Sequence, residues 1–221
     1  TTPLTLPSNL ALCVGSNIEY TKVYDEALQA TLIIASERLA AYEGKKQLQA
    51  VSTLMGSELV GLRYDPLFPY FEDLASEGAF QVLADDYVTT DSGTGIVHQA
   101  PAFGADDLAV CRSYGLPVVN PIAPDGHFLP EVPVVAGMFF KDADKPLVKE
   151  LKASGALYKH QQYEHTYPHC WRCHTALMYY AQPSWYIRTT SIKDALLREN
   201  AKTDWHPETI KEGRYGDWLN N

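Results

Sequence analysis

Apolar residues recur along this chain in short runs, with few long helical stripes. Ala11–Val14 is uninterrupted, Ile18–Tyr24 alternates in part, and Ala30–Ile34 is apolar again, so each predicts a strand. Gln47–Thr53 continues that pattern, and the aromatic, proline-rich Tyr64–Phe71 predicts a packed edge. Phe80–Ala84 and Tyr87–Thr90 predict two more strands split by a turn at Asp85-Asp86, and Leu116–Asn120 a buried strand before the turn Pro124-Asp125-Gly126. Helical spacing is confined to a few segments. Ser36 to Glu43 has a serine at the N-cap and Gly44 just past its end. Asp144 to Ala153 is capped by Asp144, with Pro146 in the first turn and Gly155 as its stop, and Ser191 to Lys202 carries Asp194 as a capping-box variant. Short, closely spaced strands with few helices predict a mainly β fold with α decorations, built as a barrel or sandwich.

One stretch departs from this plain alternation. Gly93-Thr-Gly-Ile-Val-His-Gln-Ala-Pro-Ala-Phe-Gly-Ala-Asp-Asp107 runs from a short apolar pair into His98, through a glycine- and proline-broken loop, to two carboxylates. Those carboxylates open a predicted helix, Ala105 to Tyr114, stopped by Gly115. A strand, a tight loop and a helix start bring backbone close to a ligand and present free N–H groups. His98 and Asp107 are the chemical ends of that loop. Equally, acids suit any helix start, and a histidine ends many strands. The spacing fits neither a phosphate-cradling nor a dinucleotide loop.

Composition narrows the field. The 221 residues are 46% apolar, enough for one large domain or one and a half small ones. No apolar run approaches the length of a membrane span. With 18 basic and 27 acidic residues the net charge is −9, which excludes a broad electrostatic grip on nucleic acid and leaves only local RNA contact. Four cysteines, two of them close together, make no disulfide framework and point to a reducing compartment. The ends, Thr1-Thr2-Pro3 and Asn220-Asn221, read as those of a piece of a longer chain. His165-Thr-Tyr-Pro-His-Cys170-Trp-Arg-Cys173-His174 has the spacing of zinc ligands, yet lacks the second pair at a distance that such sites usually need. Its alternative is a turn whose Tyr167 and Trp171 pack and whose cysteines fill space.

Four stretches together resemble the editing domain of isoleucyl-tRNA synthetases, the insertion called connective polypeptide 1. Thr1-Thr-Pro-Leu-Thr-Leu-Pro-Ser-Asn9 is similar to that family's threonine-rich motif, and Gly93–Asp107 to its second editing motif. Tyr167-Pro-His-Cys-Trp-Arg-Cys173 and Trp205-His-Pro-Glu-Thr-Ile-Lys-Glu-Gly-Arg214 resemble the segment, about residues 160–221, that returns towards the catalytic core. Valyl and leucyl relatives would carry Arg-Pro-Glu after the threonines and Ala-His-Asp in place of Ala-Phe-Gly. The Lys141–Lys145 segment leans towards the eukaryotic cytosolic branch.

The resemblance implies a single β-barrel-like editing domain over residues 1–221, of the kind found in the class I valine, isoleucine and leucine enzymes. It implies post-transfer editing, in which water hydrolyses the aminoacyl ester of mischarged valyl-tRNA(Ile). On that likeness Asp107, His98, Thr1 and Thr2 are the catalytic set. Asp107 anchors the α-ammonium, His98 lines the side-chain pocket, and the threonines meet the terminal adenosine and the ester. Leu4, Thr5, Asn9, Val97, Ala100, Phe103 and Gly104 are the implied substrate-binding residues. Two departures stand out: Leu4 replaces a common tryptophan, and the first threonine of the motif is missing. Relatives tolerate other residues at the second cysteine, so no metal ligand is implied. The domain needs no cofactor, with ATP and magnesium belonging to the parent synthetase. Its partners are the tRNA(Ile) acceptor end carrying misattached valine and the rest of the synthetase, in the cytoplasm and away from membranes. Two alternatives stay open: a non-catalytic acceptor-end binding module, and a zinc-binding interaction domain.

Overall fold

The computed structural model describes residues 1–43, 48–162 and 166–221; Gly44, Gln47 and His165 lie outside the described residues. A 3-10 turn, Pro3–Ser8, leads into β1 (Ala11–Val14), then β2 (Glu19–Asp25), β3 (Ala30–Ala35), the short helix α1 (Ala40–Glu43) and β4 (Leu48–Met55). There follow α2 (Gly56–Leu59), a kinked 3-10 stretch Pro69–Glu77, β5 (Gln81–Ala84), β6 (Ile96–Gln99), α3 (Ala105–Ser113) and α4 (Asp144–Ala153). The chain ends with α5 (Lys193–Lys202), α6 (Thr209–Glu212) and α7 (Arg214–Asn220). It divides into two compact units, Thr1–Ala181 and Gln182–Asn221.

The first unit holds two three-stranded sheets. In one, β1 lies between β5, which is parallel to it, and β6, which is antiparallel, with Leu12 opposite His98 and Ala11 opposite Gln99. The other is an antiparallel meander with β2 between β3 and β4, bulged between Lys22 and Val23. Tyr20 stitches the two together: its buried hydroxyl donates to the Gly95 carbonyl (2.6 Å) and accepts from the Gly15 N–H (3.2 Å). Gly95, at φ 76°, comes so close to Ala35 that an added Cβ would sit 2.5 Å from the Ala35 Cβ, so this joint needs glycine.

The architecture is thus mixed α/β with small sheets. Neither sheet is closed among the described residues, and two expected strands do not form. At Tyr87–Thr90 the Tyr87 N–H is taken by the Asp85 carboxylate (3.0 Å) in a local turn, so it joins no ladder. At Leu116–Asn120 the Leu116 N–H turns back to the Cys111 carbonyl (2.9 Å) behind Gly115, closing the end of α3. Pro117 has no N–H to donate at all.

Apolar burial is organised in clusters. Leu4 and Leu6 pack with Phe68, Ile122, Phe128 and the α4 residues Leu147 and Leu151. A second cluster gathers Leu10, Ala11 and Cys13 with Phe80, Leu83, Val110 and Cys111. Burying leucines such as these stabilises by about 2 kcal/mol each, which pins the amino-terminal segment at both ends. Between the two clusters lie the polar Ser8 and Asn9, both buried. The second unit is a small helical group in which Trp205 packs on Tyr215 (5.1 Å between rings) and donates through Nε1 to Asn200 Oδ1 (2.8 Å).

Candidate functional site

Asn9 sits where the chain passes from the first cluster to the second, and a buried amide there must find partners. Its Nδ2 donates to the Ala11 carbonyl (2.8 Å) and to His98 Nδ1 (2.8 Å), while its Oδ1 accepts from the Tyr64 hydroxyl (2.5 Å). The backbone helps: the Leu10 N–H donates to the Gln99 carbonyl (3.0 Å), holding residues 9–11 beside the end of β6. The other ring nitrogen, His98 Nε2, lies 2.9 Å from Thr5 Oγ1, and that hydroxyl donates onward to the Thr2 carbonyl (3.1 Å).

These partners fix the ring's protonation. Because Asn9 Nδ2 is a donor, Nδ1 must accept; the neutral ring then carries its hydrogen on Nε2 and donates to Thr5. Burial drives the His98 pKa down to about 4, so the ring is neutral at physiological pH. With a low pKa and both nitrogens engaged, His98 is poorly suited to act as a general base.

Asp107 occupies the third position of α3 and reaches back over the loop, accepting the Ala100 N–H at Oδ2 (2.8 Å). Gly104 is the space this requires, since a Cβ there would lie 2.7 Å from the Asp107 Cγ. Burial raises the Asp107 pKa above the ordinary carboxylate value, and the Ala100 N–H acts in the opposite sense. The carboxylate is therefore fixed two residues along the backbone from His98. Beside the loop a cavity of about 190 Å³ is lined by Phe103, Gly104, Leu108 and Tyr179.

Of the residues singled out in sequence, the structure brings Thr2, Thr5, Asn9 and His98 into one network, with Ala100, Gly104 and Asp107 in the adjoining loop. Thr1 is exposed at the start of that segment. Val97 packs against the second cluster and Phe103 against the first. Leu4 is buried in the first cluster, and its N–H is held by Asp144 Oδ1 (3.0 Å). Asp144 was expected to cap α4; its carboxylate instead anchors the threonine-rich segment across 140 residues of sequence. Neither Asp144 nor Tyr64 carried a local signal for these bonds, which depend wholly on chain crossing.

The cysteine turn is different. His174 N–H donates to the Cys170 carbonyl and Cys170 N–H to the Thr175 carbonyl (both 2.9 Å), closing a short loop whose Trp171 is 80% exposed, so that ring does not supply the expected packing. No group of three or more His, Cys, Asp or Glu side chains placed to hold a metal ion occurs among the described residues. No helix among them is long and apolar enough to cross a membrane.

Residues 12–221 match the family model described as tRNA synthetases class I (I, L, M and V). The isoleucine–tRNA ligase of Streptomyces coelicolor is 53% identical over 221 residues, covering 100% of this chain and 21% of the relative. That of Thermobifida fusca is 52% identical, covering 100% and 20%, and the cytoplasmic enzyme of Saccharomyces cerevisiae 44%, covering 100% and 21%. The chain spans about a fifth of the length of these relatives, and the higher identities to bacterial enzymes give no support to a eukaryotic cytosolic leaning. The crystal structure of GlLeuRS-CP1 shares the fold, with a TM-score of 0.56 at 19% identity over 73% of this chain and 81% of that one. By the family match across nearly its whole length, the chain belongs to the class I tRNA synthetases of the I, L, M and V group.

Proposed function

We propose that this chain is the editing domain of an isoleucyl-tRNA synthetase, hydrolysing the aminoacyl ester of mischarged valyl-tRNA(Ile) by direct attack of water. The need is physical: valine and isoleucine differ by one methylene, too little for a binding pocket to separate them well, and isoleucyl-tRNA synthetase is a well-known example of the double sieve that answers it. The observation that carries the reading is the pair of hydrogen bonds joining His98 with Thr5 and Asn9, which seats the threonine-rich segment beside the loop closed by Asp107.

In this reading Asp107, ionised, grips the α-ammonium of the misattached amino acid through Oδ1, with Oδ2 already tied to the loop. A neutral His98 adds no positive charge to repel that ammonium and forms the wall that turns isoleucine away. Thr1 and Thr2 lie along the terminal adenosine and the ester, where hydroxyl and backbone donors stabilise the developing oxyanion. Thr5, Asn9, Val97, Ala100, Phe103 and Gly104 shape the pocket, and Leu4 supports it from within the core. Water is the nucleophile, placed by the bound substrate, and no side chain serves as general base.

The wider claims belong to the same proposal: one editing domain over residues 1–221, barrel-like in its complete setting, free of cofactor itself. ATP and magnesium serve the parent enzyme, which works in the cytoplasm with tRNA(Ile) as its partner. The test is deacylation in the full-length synthetase. Asp107→Ala is expected to abolish hydrolysis of valyl-tRNA(Ile), and His98→Ala to let the enzyme destroy isoleucyl-tRNA(Ile). Unchanged hydrolysis in the first variant removes Asp107 from the mechanism. Binding of an adenosine ester analogue without turnover by the unaltered enzyme replaces the hydrolase with a binding module.

A further inference from the structure

Tyr64 stands outside both motifs, 55 residues from Asn9, yet its hydroxyl meets the Asn9 side chain. Its backbone is held against β5, with the Tyr64 N–H donating to the Phe80 carbonyl (3.1 Å) and Arg63 bridging to Gln81. Its ring meets Phe80 edge-on, centroids 6.1 Å apart at 85°, and packs on the second apolar cluster. The phenol therefore arrives at Asn9 from a rigid element. Burial raises its pKa well above the usual tyrosine value, so it stays protonated and remains a donor.

The direction of every bond beyond it follows. Asn9 Oδ1 has no hydrogen, so Tyr64 must donate. The opposite end of the amide faces the Ala11 carbonyl, which only accepts, so Nδ2 belongs there. The amide is thus oriented from two sides, and its remaining hydrogen is aimed at His98 Nδ1. That leaves the ring hydrogen on Nε2, pointing at Thr5 Oγ1, whose own hydrogen goes to the Thr2 carbonyl. Without the phenol, Asn9 Oδ1 loses its donor, and the amide is held in this orientation from one side, by the Ala11 carbonyl. Turned over, it would place Oδ1 at His98 Nδ1 and select the other ring tautomer, leaving Thr5 to donate to a bare Nε2 and release the Thr2 carbonyl.

We propose that Tyr64 is a positioning residue of this site: by orienting the Asn9 amide it sets which nitrogen of His98 carries the proton and which way the Thr5 hydroxyl points. The structural half stands on the geometry alone; its consequence for hydrolysis rests on the editing reading above. The test compares wild type and Tyr64→Phe by 15N NMR of the histidine-labelled protein, alongside steady-state deacylation of valyl-tRNA(Ile) in the full-length synthetase. The wild type is expected to show His98 as a single Nε2–H tautomer, and Tyr64→Phe a mixture of the two in a folded protein. Deacylation kcat is expected to fall about tenfold with KM little changed, as a small misplacement of a reacting assembly would produce.

An unchanged single tautomer in folded Tyr64→Phe overturns the proposal, whatever the activity does. Absence of deacylation by the wild type ends the editing reading, while the tautomer result still decides the role of Tyr64. Should Tyr64→Phe fail to fold, 3-fluorotyrosine placed at position 64 keeps ring and hydroxyl and strengthens the donor. A shift of the His98 Nδ1 resonance then supports the relay, and an unmoved resonance overturns it.

Discussion

Two histidine-bearing stretches of this chain carry candidate chemistry as text, Ile-Val-His98 with its glycine-rich loop and His169-Cys-Trp-Arg-Cys-His174 with its ligand spacing. Their surroundings separate them. His98 is bonded through both nitrogens to residues 89 and 93 positions away, and burial depresses its pKa. The bonds of the cysteine turn stay within a few residues: His169 Nδ1 pairs with the Tyr167 carbonyl (2.9 Å), and Cys173 Sγ lies 3.3 Å from Thr175 Oγ1. Groups joined over long sequence distances hold their geometry because the fold holds them. Groups joined only locally form a turn that carries no such constraint.

The strongest blow to this contrast is Asn9→Ala. It strips partners from Tyr64, the Ala11 carbonyl and His98 Nδ1 at once, and leaving buried polar groups unpaired costs about 1–3 kcal/mol each. A loss of about 3 kcal/mol or more in urea unfolding is expected. A loss under about 1 kcal/mol would mean that water replaces the network and that the two stretches differ less than they look.

The pH dependence sharpens the contrast next. An unfolded histidine protonates near 6.5, whereas His98 stays neutral until about 4. Between those values the unfolded state binds the extra proton, so this contribution is fully present above pH 6.5 and is lost as pH falls towards 4. It amounts to roughly 2–3 kcal/mol. The check is the difference in unfolding free energy between wild type and His98→Gln at pH 7 and at pH 4.5, which cancels carboxylates common to both. No pH dependence in that difference would place the ring in contact with solvent.

The smallest effect is expected at the cysteine turn. Cys173→Ser should change stability by less than about 0.5 kcal/mol, as for most surface substitutions. A larger loss that added zinc restores would reveal a ligand role. Reactivity there is another matter. Hydrogen bonds from Thr175 bring the exposed Cys173 thiol down to about 7, while burial pushes Cys13 and Cys111 up to about 12. Mass spectrometry after brief iodoacetamide treatment at pH 7.5 should find Cys173 alkylated and the two buried cysteines spared.

Apolar patterning located β1, β2, β3, β4 and β5 to within a few residues, the glycine-rich stretch pointed to β6, and α3 and α4 were placed almost to their ends, because such spacing and glycine stops are written locally. It failed at Tyr87–Thr90 and Leu116–Asn120, where apolar content suggested strands but the backbone N–H groups were already committed to turns. Motif likeness singled out His98, Asp107, Thr5 and Asn9 as candidates. What linear order left undetermined was their mutual arrangement. Residue types, local elements and the family are properties of neighbours in the chain, and the sequence by itself determined them. The tertiary structure alone decided that Tyr64 orients Asn9, that Asp144 holds Leu4, and that His98 carries its proton on Nε2. Each of those depends on a hydrogen bond between strangers in sequence, formed only where packed apolar clusters bring them within 3 Å of one another.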